Sequence, residues 1–320
     1  MGRRSCSTAA GFSTETSLAM SPSGRAGFAR AAVCDDRPTR STEHGADVSP
    51  FRGSAGFTEA WKHFDFALDD GVATVTFSRP DKLNALTFDV YADLRDLLAE
   101  LPHRGDVRVL VLTGEGRGFC SGGDVDEIIG ELQKLPAGEL LAFTRMSGAV
   151  VKSMRDSPLP VIAAVNGVAA GAGAVLALAA DFRLLAPTAK FAFLFTRVGL
   201  AGADMGAAYL LPRLVGLGRA TELLVLGGEV SADRAVELGL ASRIADDLPA
   251  AAEELARTLA DGPALAYATT KLLLTRELDL DLGGAIEMEA LAQALLMKSD
   301  DFGEFYVAWS EGRSPAWSGR

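Results

Sequence analysis

The chain has 320 residues, of which 48% are hydrophobic and 23% charged, a balance that fits a globular protein with a full core and argues against a wholly disordered or fibrous chain. Its formal net charge of -11 opposes a nucleic acid as the main partner, because polyanions attract a basic face. Its three cysteines, Cys6, Cys34 and Cys120, form no close pair, so neither a disulfide framework nor a cysteine-rich metal site is indicated, and Arg, Asp and Gly interrupt every apolar run before the ~18 residues of a membrane span.

Residues 1–55 are rich in Ser, Arg, Gly and Thr and lack periodicity, and are expected to form a disordered leader. Arg3, Arg4, Arg25, Arg30, Arg37 and Arg40 point towards an organellar transit peptide, but Glu15, Asp35, Asp36, Glu43 and Asp47 dilute that signal. A plain extension and a cytoplasmic location are the simpler expectation.

Order is expected from Trp61. Phe64, Phe66 and Leu68 alternate with polar or small residues, Asp69-Asp70-Gly71 supplies a turn, and Val72 to Phe77 returns as a second strand, which together predict a hairpin. Thr87 is placed to cap a helix whose Val90, Leu94, Leu97, Leu98 and Leu101 recur at three- and four-residue steps. The apolar run Val109 to Leu112 leads into a glycine-rich loop, Gly114 to Gly123, and Asp124 is placed to cap a helix from Val125. After a helical stretch through Met154, the strand Val161 to Val165 turns at Asn166-Gly167 towards a small-residue helix, Gly171 to Ala180. Phe182 to Leu185 and Phe191 to Phe195 read as strands, the loop Gly199 to Gly206 follows, and from Ala207 the chain reads as almost entirely helical. Strands separated by helices predict an α/β architecture with chemistry on the loops leaving the strand ends.

The loop Gly116 to Asp124 has no Gly-Lys-Ser/Thr at P-loop spacing. Adjacent Gly122 and Gly123 instead allow close approach of a carbonyl to backbone N-H groups, the alternative being a flexible surface turn. The cluster Asn166 to Gly173 lies before a buried helix, whose N-terminus favours an oxyanion. A dinucleotide fingerprint fails there, because Leu176 stands where a third glycine is needed; close packing of small residues is the structural alternative. His44, His63 and His103 are the only histidines, and none shares a loop with a nucleophile, so Ser121 and Cys120 lack an activating base. No His, Asp or Glu spacing matches a metal site, and Cys120 reads as a packed thiol.

Three segments in order, Phe77-Ser78-Arg79-Pro80-Asp81-Lys82-Leu83-Asn84-Ala85-Leu86, Phe119-Cys120-Ser121-Gly122-Gly123-Asp124 and Pro160-Val161-Ile162-Ala163-Ala164-Val165-Asn166-Gly167, resemble the enoyl-CoA hydratase/isomerase (crotonase) family from about Trp61 to the end. The resemblance implies an α/β crotonase-type spiral of repeated ββα units with a C-terminal helical region. It implies residues 56–255 as a core with an acyl-CoA site, and residues 256–320 as a helical region for oligomerisation and for covering the site. By position it assigns Gly123 and Ala172 as oxyanion-hole N-H donors. Lys82, Leu83, Ala85, Ser121, Gly122 and, near the end, Arg313 become the coenzyme A contacts, with Lys82 and Arg313 candidates for its phosphates. Lys82 as a solvated turn residue is the plainer reading. No permanently bound cofactor is implied: coenzyme A arrives as part of the thioester substrate. A homotrimer or a dimer of trimers is implied, with no nucleic-acid or membrane partner.

Hydratases of this family use two glutamates, whose positions here resemble Val175 and the neighbourhood of Phe195. Asp204, in the loop before Ala207, resembles the catalytic aspartate of branches that include aroyl-CoA dehalogenases and dienoyl-CoA isomerases, and apolar neighbours such as Leu200 and Met205 favour a raised pKa. Capping of the helix from Ala207 is its structural alternative. The expectation is isomerisation or hydration/elimination on an unsaturated or aromatic acyl-CoA, the rivals being thioester or carbon-carbon bond hydrolysis and a coenzyme A-binding protein without catalysis.

Overall fold

The structure is a computed structural model that describes residues 56–320; the expected leader, residues 1–55, lies outside them. The chain opens with a hairpin, β1 (Asp65–Asp69) and β2 (Val72–Phe77), paired antiparallel from Asp65 opposite Thr76 to Asp69 opposite Val72. Asp70 and Gly71 both take positive φ, 43° and 80°, the geometry that joins two twisted strands through a two-residue turn. Helix α1 (Phe88–Arg104) follows and is capped by the Thr87 hydroxyl, which accepts from Val90 N-H at 3.3 Å.

Next come β3 (Val109–Gly114), β4 (Gly118–Cys120), α2 (Ala137–Asp156), β5 (Val161–Val165), β6 (Val168–Ala170), α3 (Ala172–Ala179), β7 (Phe182–Leu185) and β8 (Lys190–Ala192). After them the chain forms α4 (Ala207–Val215), α5 (Leu217–Leu226), β9 (Glu229–Ser231), α6 (Ala232–Glu237), β10 (Arg243–Ile244), α7 (Leu248–Ala260), α8 (Ala264–Glu277), α9 (Leu282–Leu296) and α10 (Asp300–Glu311).

Successive strands divide between two sheets, one ordered β1-β2-β3-β5-β7-β10 and the other β4-β6-β8-β9. Three successive pairs, β3-β4, β5-β6 and β7-β8, each put their first strand in the larger sheet and their second in the smaller, which makes the spiral that the resemblance implies. All pairings are parallel except β1 with β2 and β8 with β9. The central strands β3, β5 and β7 of the larger sheet are buried on both faces, so they read as apolar runs. Val109, Val111, Ile162, Ala164 and Leu184 meet Leu248, Ala252 and Ala256 of α7 on one face, while Leu110, Leu112, Val161 and Ala163 join α1, α2 and α3 on the other.

Four short strands differ from expectation. β4 and β6 lie in segments read as glycine loops, and β9 and β10 in a stretch read as helical. Each has two or three residues and gains its place from long-range pairing, too short for a period-2 pattern to register. The strand expected over Phe191 to Phe195 ends at Ala192, and Phe195 opens a 3₁₀ turn, Phe195–Val198. The expected boundary at 255/256 falls within α7, which packs on the sheet; the helices beyond the sheet begin at α8.

Lys271 pins α8 to the core: its buried ammonium donates to Met154 O at 2.9 Å and Leu159 O at 2.7 Å, and pairs with Asp181 at 2.8 Å. α9 has no buried residue, and Leu282, Leu295 and Trp309 are 77%, 75% and 70% exposed. No helix among the described residues is long and apolar enough to cross a membrane.

Candidate functional site

Two asparagines organise the first glycine loop. The Asn84 amide donates to Glu115 O at 2.9 Å and Gly118 O at 2.7 Å, while its Oδ1 accepts from Arg79 N-H at 2.9 Å. Asn166 donates to Gly116 O at 2.9 Å and Gly118 O at 3.0 Å and accepts from Gly114 N-H at 3.2 Å. Asn84 is buried and has φ 59°, a left-handed conformation that asparagine tolerates better than most residues. Asn84→Ala is expected to cost about 2–4 kcal/mol of stability, because Arg79 N-H and Glu115 O lose their Asn84 partner, Gly118 O loses one of its two amide donors, and alanine fits the left-handed φ less well. Chemical denaturation measures it, and a loss below about 0.5 kcal/mol would refute this role.

The segment Lys82 to Leu86 lies beside Ser121 to Asp124. Ser121 N-H donates to Leu83 O at 2.9 Å and its hydroxyl to Lys82 O at 3.1 Å, while Leu86 N-H donates to Gly122 O at 2.8 Å and Asp124 N-H to Leu86 O at 2.9 Å. The structure therefore brings together Lys82, Leu83, Ala85, Ser121, Gly122 and Gly123. Lys82 itself is exposed, with Asp126 3.5 Å away. Asp124 is buried and caps a π-helical turn, Val125–Gly130, by accepting from Asp126 and Glu127 N-H groups at 3.0 and 3.1 Å. The Glu127 N-H, foremost, and the nearby Lys82 and Arg79 cations hold its carboxyl below the usual range.

The second loop meets the first at Ala172. Gly122 has φ 95°, and a Cβ added to it would lie 3.0 Å from Ala170 O and 3.5 Å from Ala172 N. Any side chain here would thus stand against the Ala172 N-H. Ala172 is the first residue of α3, after Gly171 at φ 49°. A Cβ on Gly173 would sit 2.1 Å from Cys120 O, so only glycine lets α3 pack this closely on β4. Among the described residues, neither Gly123 N-H nor Ala172 N-H donates to a backbone carbonyl. The site thus holds two available donors on neighbouring strand exits, one of them at a helix N-terminus.

Val175 and Phe195 are both buried, so apolar walls occupy the two positions compared above with glutamates. Asp204 is half-buried in the loop before α4. Its Oδ1 accepts from Met205 N-H at 2.9 Å, and its carbonyl accepts from Ala207 N-H at 2.8 Å. The cap of α4 is Gly206, at φ 93° and with no side-chain cap bond, so the Asp204 carboxylate does not cap this helix. Burial pushes its pKa up, and the Met205 N-H only partly opposes that shift.

Sequence reasoning missed Tyr91. Its ring packs edge-on against Phe143 at 5.5 Å, and its hydroxyl reaches Met205 Sδ at 4.0 Å. Burial, then the proximity of Cys120 and Asp204, push the phenol well above its usual pKa. The available signal was a tyrosine inside the apolar stripe of α1, where a buried hydroxyl needs a partner. Cys120 is fully buried and its thiol is pushed up to about 12 by burial, as a packed thiol requires.

Arg313 stands apart from these residues. Its guanidinium pairs with Glu304 and Glu311 at the end of α10. No cluster of three or more His, Cys, Asp or Glu side chains able to hold a metal ion occurs among the described residues. A cleft of about 1180 Å³ opens between α2, α4, α7 and α8, and Met205 and Gly206 are among its lining residues. Gly123 and Ala172 are not, so this cleft borders the Asp204 loop rather than the pair of donors.

Residues 67–320 match the enoyl-CoA hydratase/isomerase family model. The chain is 37% identical over 256 residues to 1,2-epoxyphenylacetyl-CoA isomerase of Escherichia coli K12, covering 79% of this chain and 97% of that protein. A crystal structure of an enoyl-CoA hydratase candidate from Streptomyces coelicolor A3(2) is 62% identical, with a TM-score of 0.84 over 85% of this chain and all of that one. An enoyl-CoA hydratase structure from Bacillus anthracis is 29% identical, with a TM-score of 0.76 over 81% of this chain and all of that one.

Proposed function

The chain belongs to the enoyl-CoA hydratase/isomerase family, and we propose that it binds an acyl-CoA thioester, stabilises its enolate with the Gly123 and Ala172 N-H groups, and transfers a proton through Asp204. The observation that carries this reading is the approach of the two loops at Gly122 and Ala172, which leaves two preorganised donors on adjoining strand exits. Such donors stabilise charge that develops on a carbonyl oxygen. Enolate formation also needs a group to move the α-carbon or vinylogous proton, and a carboxylate with a raised pKa suits that task near neutral pH.

Val175 and Phe195 supply no second carboxylate, which favours a double-bond shift, or an addition/elimination with one acid/base group, over hydration by a glutamate pair. The half-buried Phe88 and Phe143 rings and the buried Tyr91 ring, packed edge to face at 5.0 and 5.5 Å, favour a planar unsaturated or aromatic acyl group. The strand of contacts from Lys82 to Ala85, with Ser121 and Gly122, is the proposed coenzyme A cradle, and Lys82 is its freer cation. Arg313 contributes only if a phosphate displaces Glu304 or Glu311.

The test is incubation with a panel of acyl-CoA thioesters in deuterated water, read by mass spectrometry. Deuterium uptake with retained mass otherwise, or gain or loss of water, is the expected result. Release of free coenzyme A identifies a hydrolase instead, and binding without exchange or conversion across the panel identifies a non-catalytic binder.

The exposed apolar faces of α9 and α10 favour a homotrimer or a dimer of trimers, since a monomer rarely leaves so much apolar helix surface uncovered. Light scattering at micromolar concentration is expected to give three or six times the chain mass. A monodisperse monomer contradicts it.

A further inference from the structure

We propose that Tyr91 is a positioning residue for Asp204, acting through its contact with Met205; the inference rests on the acid/base reading of Asp204 given above. Met205 has φ 49° and Gly206 φ 93°, so two successive left-handed residues turn the chain into α4. That conformation is costly for a residue with a side chain. It persists because both sides of Met205 are held. Its N-H donates to Asp204 Oδ1 at 2.9 Å, and its buried thioether lies 4.0 Å from the Tyr91 hydroxyl. Rotation of the Asp204 carboxylate and the seat of the Met205 side chain are therefore coupled through one peptide unit.

Tyr91 is the fixed end of this chain of contacts. It is buried on α1 with its ring edge-on to Phe143. Sulfur is a weak acceptor, and the hydroxyl has no oxygen or nitrogen acceptor among the described residues. A phenol chosen for packing alone gains nothing from a hydroxyl in that setting, and phenylalanine would pack as well. The charged or titratable groups facing it are Cys120 from β4 and Asp204 from the α4 loop. With Cys120 neutral, Asp204 is the one group there whose ionisation the hydroxyl can influence.

The test is a cycle of Tyr91→Phe and Asp204→Asn, with Met205→Leu as a second single variant that keeps apolar bulk but removes the sulfur. Tyr91→Phe is expected to lower kcat about tenfold, the scale of a small misplacement of a catalytic group, with KM within twofold of the parent and near-normal melting. The acid limb of kcat/KM moves towards the ordinary carboxylate range, because a loosened Asp204 becomes better hydrated. Met205→Leu moves both quantities in the same direction. In the Asp204→Asn background, Tyr91→Phe has no further effect, since the group through which it acts is already absent. An unchanged kcat with an unmoved limb in Tyr91→Phe overturns the proposal. Equal losses in both backgrounds also overturn it, because Tyr91 then acts without Asp204. If Asp204→Asn itself turns over at the parent rate, the acid/base reading falls as well, whereas an inactive Asp204→Asn beside a fully active Tyr91→Phe removes this proposal alone.

Discussion

Ala172→Pro is expected to lower kcat by about 10²–10³-fold, the loss that follows removal of one oxyanion donor, while the protein still folds and binds coenzyme A. Position decides both halves of the expectation. Ala172 is the first residue of α3, where a helix makes no use of the N-H and where the φ of proline is well tolerated. Proline in the body of the same helix would remove a hydrogen bond and clash with the preceding turn, at a cost of about 3 kcal/mol. At Ala172 the helix loses no backbone bond, because its N-H donates to no carbonyl among the described residues. The proposed chemistry loses a donor outright. Ala172→Gly is the control, since it keeps the N-H and removes only a methyl group. If a folded Ala172→Pro protein works at the parent rate, Ala172 is not an oxyanion donor, and the acceptor position for a thioester oxygen must be sought at other backbone groups.

The parts of the fold with local causes were legible before the structure. Asp70-Gly71 is a turn because both residues accept positive φ, and β5 runs from Val161 to Val165 as read from its unbroken apolar run. Asp124 caps the next helical turn for the ordinary reason that a short carboxylate reaches two free N-H groups. Gly122 and Gly123 were read as points where a ligand carbonyl could come close to the backbone, and a Cβ at Gly122 would lie 3.5 Å from Ala172 N. What stayed hidden depends on distant partners. β4 and β6 have three residues each, too few for a period, and exist because Gly118 pairs with Val168 and Cys120 with Ala169 across about fifty positions of chain. Asn166 read only as a turn residue and Asn84 only as part of a family-like segment, yet both donate to Gly118 O, a convergence that no local pattern encodes. Tyr91 fell into the apolar stripe of α1, and its polar end acquires meaning only when the Asp204 loop arrives beside it.

Asp204→Asn separates chemistry from architecture at the residue on which the proposed reaction depends. Asparagine keeps the size of the side chain and can still accept a hydrogen bond from Met205 N-H through its amide oxygen, so the turn into α4 retains its contacts. Because Gly206 rather than Asp204 occupies the cap of α4, no side-chain cap is lost either. Burial raises the pKa of Asp204, which means that the folded protein holds this carboxylate less well ionised than the unfolded chain does. That linkage penalises the folded state as pH rises from the unfolded to the folded pKa, and the asparagine variant is therefore expected to be as stable as the parent or slightly more so above that window. Activity moves the opposite way. As a base, Asp204 must be ionised, so kcat/KM of the parent should climb with pH along a limb lying above the ordinary carboxylate range, and the variant should lose that limb together with about 10²-fold or more of kcat. Unchanged or improved melting with a collapsed rate is the signature of a group kept for chemistry at some cost to the fold. A variant that works at the parent rate with the same pH profile would mean that the carboxylate moves no proton, and a limb that survives in it must belong to another group.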